Sequence, residues 1–346
     1  NNGSLSLAAA RKFVGDHYFH TEMFDLAIPF YKKALATFDE ASSLFSAAST
    51  NDMLGCAYAR KGDKKLARMY FDRSLELNEQ IHNRLGVNNT LFNLARLKFS
   101  EGDLQEALKF SQASIDGTER ASASVTNAKL RSSHFASVSD RFDFHVQLLM
   151  EAAEKTGDAS YAVRGLQAAE SSRARTMLEK LTTLGSLDSI VADADPETLR
   201  AEQELLISYN AASDRLANLM DLRDSQEAID AADREIREIE QKIEQVRSAT
   251  KQNSPLYTAI RDPQTLDAEE VVKSVTKSNS VLLEYWLGTD KSYLWVIDNA
   301  GTRAFTLPDR KTIAQAVSDL REALAAHEPV QGESVESFQA RNLDAT

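Results

Sequence analysis

One cysteine, Cys56, stands among 346 residues. That scarcity excludes an intrachain disulfide framework and a cysteine-rich zinc site, and it fits a reducing compartment. Glycine (13) and proline (6) are too few for long disordered tracts. No run approaches the ~20 apolar residues of a bilayer-spanning helix, so no membrane partner is implied. Basic residues are outnumbered, 40 against 52 acidic, for a formal charge of −12. Such a surface repels phosphate backbones and disfavours nucleic acid as a partner. What remains is ordinary for a folded protein, with 42% hydrophobic and 27% charged residues. The length predicts two or three domains. The first residue is Asn1 rather than Met, which leaves open a removed targeting segment.

Self-similarity organises the first half. "GDHYFHTEMFDLAIPFYKKA" begins at Gly15, "GCAYARKGDKKLARMYFDRS" at Gly55 and "ARLKFSEGDLQEALKFSQAS" at Ala95, so successive copies are offset by 55 − 15 = 95 − 55 = 40 residues. Each copy opens on a small residue, a second small residue follows at Ala27, Ala67 and Ala107, and rings recur at Tyr18 and Tyr58 and at Tyr31 and Phe71. Small side chains let two helices cross closely, and the rings fill the space beside them. "KGD" at Lys61 and "EGD" at Glu101 place a glycine at a left-handed helix end and an aspartate at the next helix start. A more distant fourth unit spans Lys155 to Leu178, with Gly157 at its turn, Ala162 and Ala169 at packing positions, and an upstream helix near Phe142 to Ala153.

These units resemble the tetratricopeptide repeat, whose usual period is about 34 residues. The resemblance implies an α-solenoid whose first helices line a concave surface, the place for a protein or peptide partner. Groove positions are then Lys12, Asp16, Phe19 and His20, next Asp52, Cys56 and Arg60, and next Asn89, Asn93 and Arg96. Repeats of this family that clamp a peptide's terminal carboxylate carry a set of Lys, Asn and Arg. Here Lys12 matches that set, whereas Asp16, Met53, Asn89 and Asn93 do not. A chaperone-tail receptor is disfavoured, and binding of another peptide or domain stands beside a purely intramolecular role.

From Pro196 the pattern becomes heptad-like. Leu205, Tyr209, Ala212, Leu216 and Leu219, then Ile229, Ala232, Ile236, Ile239, Ile243 and Val246, predict two long helices forming an antiparallel hairpin, each arm ~35 Å long. It serves as a spacer or as a partner-docking arm. Asn253, Ser254 and Pro255 end it. "VLLEYWL", "SYLWVID" and "TRAFTLP", from Val281 to Pro308, predict a three-stranded meander. A short helix is expected near Ala268 to Val275. Ile313, Val317, Leu320 and Leu324 predict a helix covering the meander.

In this order, "AVRGLQAAESSRARTML", the heptad hairpin ending in "SPLYTAI", and "SVLLEYWLGTDKSYLWVIDNAG" resemble proteins with a CHAT domain, a caspase-like cysteine peptidase fold behind tetratricopeptide units. The resemblance implies a mainly α chain: repeats over 1–182, a linker and helical hairpin over 183–255, and the N-terminal part of an α/β caspase-like domain over 256–346. It also implies a bacterial, cytoplasmic setting and no small-molecule cofactor or metal. Catalysis in that family uses a His before Gly and a Cys after small residues, and neither motif occurs here. His327 precedes Glu328 and Pro329, and Cys56 lies inside the second repeat, so no catalytic residue is assigned. The expectation is a partner-sensing region joined to the opening of a peptidase domain and not competent by itself. The alternative is a non-enzymatic interaction scaffold. "SVTK" at Ser274 to Lys277 has the spacing of an acylase nucleophile but no companion motif. His17 and His20, beside Asp16 and Glu22, read as a solvated edge rather than a metal site.

Overall fold

The computed structural model describes residues 2–81, 83–122, 128–183, 195–222, 226–254 and 280–325, with 271, 273, 274, 277 and 337 in addition. It divides into two units, Asn1–Thr265 and Leu266–Thr346.

In the first unit helices alternate in pairs: α1 (Asn2–His20) with α2 (Phe24–Ala41), α3 (Leu44–Arg60) with α4 (Lys64–Gln80), α5 (Arg84–Glu101) with α6 (Leu104–Ser122), and α7 (Ala128–Thr156) with α8 (Ala159–Thr183). The second helices of the first three pairs start at 24, 64 and 104, steps of 40 residues. The turns follow from sequence. Gly62 and Gly102 both take φ +83°, a conformation that costs a side-chain-bearing residue energy. Behind them, the Asp63 carboxylate accepts from Leu66 N at 3.0 Å and the Asp103 carboxylate accepts from Glu106 N at 3.2 Å. The first repeat has neither device. Glu22 holds φ 60° where glycine stands in the other two, and Met23 begins α2 without a side-chain cap.

Within each pair the close crossing is enforced by size. A Cβ on Gly15 would lie 2.7 Å from the Tyr31 ring, and one on Gly55 would lie 2.5 Å from the Phe71 ring. Ala95 replaces glycine in the third pair, where Ser111 (71 + 40) stands in place of the ring. Ala27, Tyr31, Tyr58, Ala67 and Phe71 are buried in one cluster with Leu54, Leu94 and Leu97. Tyr18 only flanks that cluster, half-buried.

The hairpin consists of α9 (Pro196–Leu222) and α10 (Gln226–Asn253), 27 and 28 residues, hence arms of ~40 Å at ~1.5 Å per residue. Pro196 starts α9 behind Asp195, whose carboxylate accepts from Thr198 N at 3.1 Å. Leu206, Ala212, Ile239 and Ile243 form its core, flanked by Leu205, Tyr209 and Ile236. Arg215–Glu235 at 2.7 Å and Arg247–Glu202 at 2.8 Å fix the antiparallel pairing. The hairpin also meets the repeats. α9 packs on α3, and Arg84 at the start of α5 pairs with Glu240 at 2.6 Å.

The second unit holds β1 (Leu282–Trp286), β2 (Ser292–Asp298) and β3 (Gly301–Leu307) in an antiparallel sheet of order β1-β2-β3, followed by α11 (Arg310–Ala325). The meander thus forms as its sequence predicts, with Tyr293, Trp295 and Ile297 of the central strand buried. The cover expected from α11 does not. Val317 and Leu320 are 47% and 60% exposed. α11 is tethered at its start, where Arg310 N donates to Gly288 O at 3.0 Å and Asp309 caps its first turn. Val317 and Leu320 of its apolar stripe, however, are open rather than packed on the sheet. Periodicity shows that a helix has an apolar face, not which surface that face meets. The short helix expected near Ala268 falls mostly outside the described residues, as do Pro255, the linker at 185–194 and His327. Among the described residues, no helix is long and apolar enough to cross a membrane.

Candidate functional site

The face shared by the first helices of the pairs carries the residues that the repeat register singles out. Its centre is Asp52 on α3. Although charged side chains are rarely buried, Asp52 is, and it is satisfied from the next repeat: Asn93 Nδ2 donates to both carboxylate oxygens at 3.0 and 3.2 Å, and Thr90 Oγ1 donates at 3.1 Å. Burial pushes the Asp52 carboxyl up to about 6, against the lowering effect of the Asn93 and Thr90 hydrogen bonds and of the Lys12 charge. Lys12 on α1 donates to Asp16 at 3.0 Å, and the same Asp16 accepts from the Tyr31 hydroxyl at 2.9 Å. Burial and this carboxylate together raise the Tyr31 phenol far above its ordinary range.

Towards the other end of the face, Arg60 donates to Glu22 at 2.9 Å while its guanidinium lies 5.6 Å from the centre of the Phe24 ring. Phe19 packs edge-on to Phe24 with centroids 5.4 Å apart. His20 is exposed, with Nδ1 2.7 Å from the Asp16 carbonyl oxygen. The exposed Arg96 guanidinium lies 5.9 Å from the centre of the Phe92 ring. Cys56 is half-buried among these groups. Burial and then Asp52 hold its thiol well above the usual range, in spite of the Arg96 and Arg60 charges, so it is a poor nucleophile. Ser274 and Lys277 are exposed in the second unit. Among the described residues, no group of three or more His, Cys, Asp or Glu is placed to hold a metal ion.

Asn89 is joined not to this centre but to Arg141 on α7. Arg141 is buried, donates to Asn89 and to Thr118, and lies 5.7 Å from the centre of the same Phe92 ring. Burial lowers its pKa to about 10. One turn on, His145 is buried against Ser111 Oγ at 3.1 Å, and burial followed by the Arg164 charge lowers it to about 4. Residue spacing alone did not mark Thr90, Tyr31 or Arg141 as parts of this face. A signal for the first existed: Thr50 and Thr90 recur at the 40-residue step, as do Ser74 and Ser114. A polar residue that recurs at a core position of a repeat needs a partner there.

Residues 5–80 and 46–120 match the model of the tetratricopeptide repeat family. These residues are tetratricopeptide repeats. The match does not extend to the hairpin or the strands. No curated protein matches the sequence. Similar solved structures include a Rap protein complexed with competence and sporulation factor (14% identity, 70% of this chain and 66% of that one, TM-score 0.39). Aspartyl phosphate phosphatase F from Bacillus subtilis is another (15% identity, 70% and 60%, TM-score 0.40). A third is the Rap conjugation gene regulator of plasmid pLS20 in complex with the Phr* peptide (14% identity, 71% and 65%, TM-score 0.34). The chain thus spans about 60 to 66% of the length of these structures. At such identities and TM-scores the likeness carries no activity or ligand over to this chain.

Proposed function

We propose that this chain is a protein-interaction scaffold whose repeat face receives an acidic segment of a protein partner. The surface consists of Lys12, Asp16, Phe19, His20, Asp52, Arg60, Asn89, Asn93 and Arg96. The observation that carries the reading is the presentation of two exposed guanidinium groups, Arg60 and Arg96, each over a ring. They border a floor whose polar groups, Asp52 and Asp16, are already hydrogen-bonded within the repeats. A floor satisfied in this way spends nothing on a ligand, whereas a guanidinium held on a ring offers charge and planar stacking with little left to order. In an acidic protein Arg96 attracts negative charge locally, and Arg60 does so in competition with Glu22. The test is co-purification from the native host by the tagged chain and by a Lys12→Ala, Arg60→Ala, Arg96→Ala variant. Loss of a partner from the variant supports the reading, and equal recovery refutes it.

A second reading attaches this scaffold to a caspase-like CHAT peptidase domain opening at the meander. It rests on the sequence resemblance over Ser280 to Gly301. β1 also supports it: Leu282, Leu283 and Tyr285 are exposed although the strand is apolar on both faces, the pattern of a strand meant to lie inside a larger sheet. The natural polypeptide, treated with a cysteine-directed peptidyl fluoromethyl ketone, is labelled at a cysteine other than Cys56 if this reading holds. No labelling, or labelling of Cys56 alone, counts against it.

A further inference from the structure

Where the third pair of helices meets the fourth, a buried positive charge stands unopposed among the described residues. Elsewhere in the first unit, Arg60, Arg84, Arg215 and Arg247 each meet a carboxylate at 2.6–2.9 Å. Arg141 on α7 is 2% exposed, and among the described residues no carboxylate pairs with it. Its two terminal nitrogens donate to uncharged oxygens, those of the Thr118 hydroxyl on α6 and the Asn89 side chain on α5, and Nε has no partner. Asn88, packed against Gly117 on α6, likewise has a buried Nδ2 without an acceptor. This joint has donors in surplus. Burying a guanidinium is expensive unless an anion and further acceptors compensate it.

We infer that Arg141 is the floor of an oxyanion subsite, in which a glutamate side chain of the bound protein segment replaces the Asn89 oxygen on its guanidinium. The inference rests on the reading of the repeat face as a partner site, and it names what that face recognises. Asn89 is the movable part. It is exposed, and its bond to Arg141 puts a neutral oxygen where a carboxylate makes a stronger, charge-assisted bond. Turning an exposed side chain aside costs little, and the exchange of one acceptor for another leaves the buried donor satisfied. Phe92 receives the stem. Its half-buried ring is centred 5.7 Å from the Arg141 guanidinium and 5.9 Å from that of the exposed Arg96, which forms no ion pair among the described residues. Two methylene groups pack on that ring while the carboxylate reaches Arg141, and Arg96 adds a second positive charge at the mouth. A chain terminus is too short for this depth, because its carboxylate sits directly on the backbone.

The test is a peptide-display selection on the full chain from a random library of internal segments, run in parallel on Asn89→Asp. The expected result is an enriched motif with one invariant glutamate, absent from the selection on Asn89→Asp, whose own carboxylate occupies the guanidinium. In anisotropy titrations the enriched peptide loses about tenfold or more in affinity when its glutamate becomes glutamine. That loss vanishes on Arg141→Gln, as a double-mutant cycle requires; should Arg141→Gln fail to fold, the comparison with Asn89→Asp decides alone. No enrichment, a motif without a fixed glutamate, or the same motif on Asn89→Asp overturns the inference. The wider partner face fails separately. A Lys12→Ala, Arg60→Ala chain that holds the peptide as tightly as before leaves this subsite standing without that face, whereas loss on that variant with undiminished binding to Asn89→Asp refutes the subsite alone.

Discussion

Adding one methyl group at Gly55 separates the size-matching account of the repeat from a generic helical one. On a solvent-facing helix position, Gly→Ala stabilises by about 0.8–1 kcal/mol. At Gly55 the new Cβ stands 2.5 Å from one carbon of the Phe71 ring and 2.6 Å from another, against ~3.5–4.0 Å for relaxed carbon contacts. The ring therefore moves by about 1 Å. Phe71 is 1% exposed and wedged among Leu54, Ala57 and Leu94, so the displacement overpacks a filled core at about 1–3 kcal/mol. The overpacking exceeds the propensity gain, and Gly55→Ala is destabilising by about 1 kcal/mol net.

The third repeat supplies the reverse experiment. There Ala95 faces Ser111 rather than a ring, so Ala95→Gly loses the helix preference with no clash to relieve and also destabilises by about 1 kcal/mol. The two opposite substitutions at equivalent positions lower stability alike. Native-state hydrogen exchange of the α3 and α5 amides reads each effect in its own repeat. If Gly55→Ala slows exchange in α3, as a better helix former on an open surface does, the size-matching argument is refuted.

Two further outcomes follow from the same comparison of repeats. Met23→Asp, which gives the first repeat the cap that Asp63 and Asp103 supply to the others, stabilises α2 by about 0.5–2 kcal/mol; an unchanged thermal midpoint and unchanged α2 exchange refute it. Acidification from pH 6.5 to pH 4 acts oppositely on two seams, each by on the order of 1–3 kcal/mol. Asp52 is raised to about 6, so the folded chain binds its proton before the unfolded chain does, and the α3–α5 seam tightens as pH falls. His145 is lowered to about 4, so the unfolded chain binds the proton first and the α6–α7 seam loosens over the same window. Exchange protection moving in the same direction at both seams contradicts this, and Asp52→Asn and His145→Gln each remove their own slope.

The repeat register was legible because a 40-residue step aligns three copies, and each small residue could be checked against two others. The hairpin was legible because heptads specify a facing helix, although the buried position falls on Leu206, with Leu205 at its flank. Tyr18 was read as the equal of Tyr58, yet it is half-buried, since the first helix has no repeat before it among these residues. For the candidate residues the sequence indicates places on the first helices and not their bonds. That Asp52 would be held by Asn93 and Thr90, while Asn89 would instead meet Arg141, depends on distances between helices that no single helix period encodes. The cover of the meander was not legible at all, for the stripe on α11 carries no record of its counterpart.

Polar contacts recur where one repeat meets the next, beside those inside a pair such as Tyr31 with Asp16 and Ser74 with the Ala48 carbonyl, and this assigns the former a mechanical role. Inside a pair, the Gly15–Tyr31 and Gly55–Phe71 contacts are close and steric, so that even one added methyl group displaces a ring. Between pairs, the apolar packing of α2 on α3 is joined by Asp52 with Asn93 and Thr90, by Ser74 with Thr90, and by Arg60 with Glu22. Hydrogen bonds of this kind are directional and can be exchanged for equivalent ones with a ligand at small net cost. A segment that engages Arg60 competes with Glu22, and one that approaches Asn93 or Lys12 alters the balance that keeps the Asp52 carboxyl near 6. Binding on this face, as proposed above, would therefore act on the joints between pairs. An Asp52→Ala chain, which loses the acceptor for both Asn93 and Thr90, isolates that effect: its α3–α5 seam exchanges faster while the α3–α4 core around Phe71 keeps its protection.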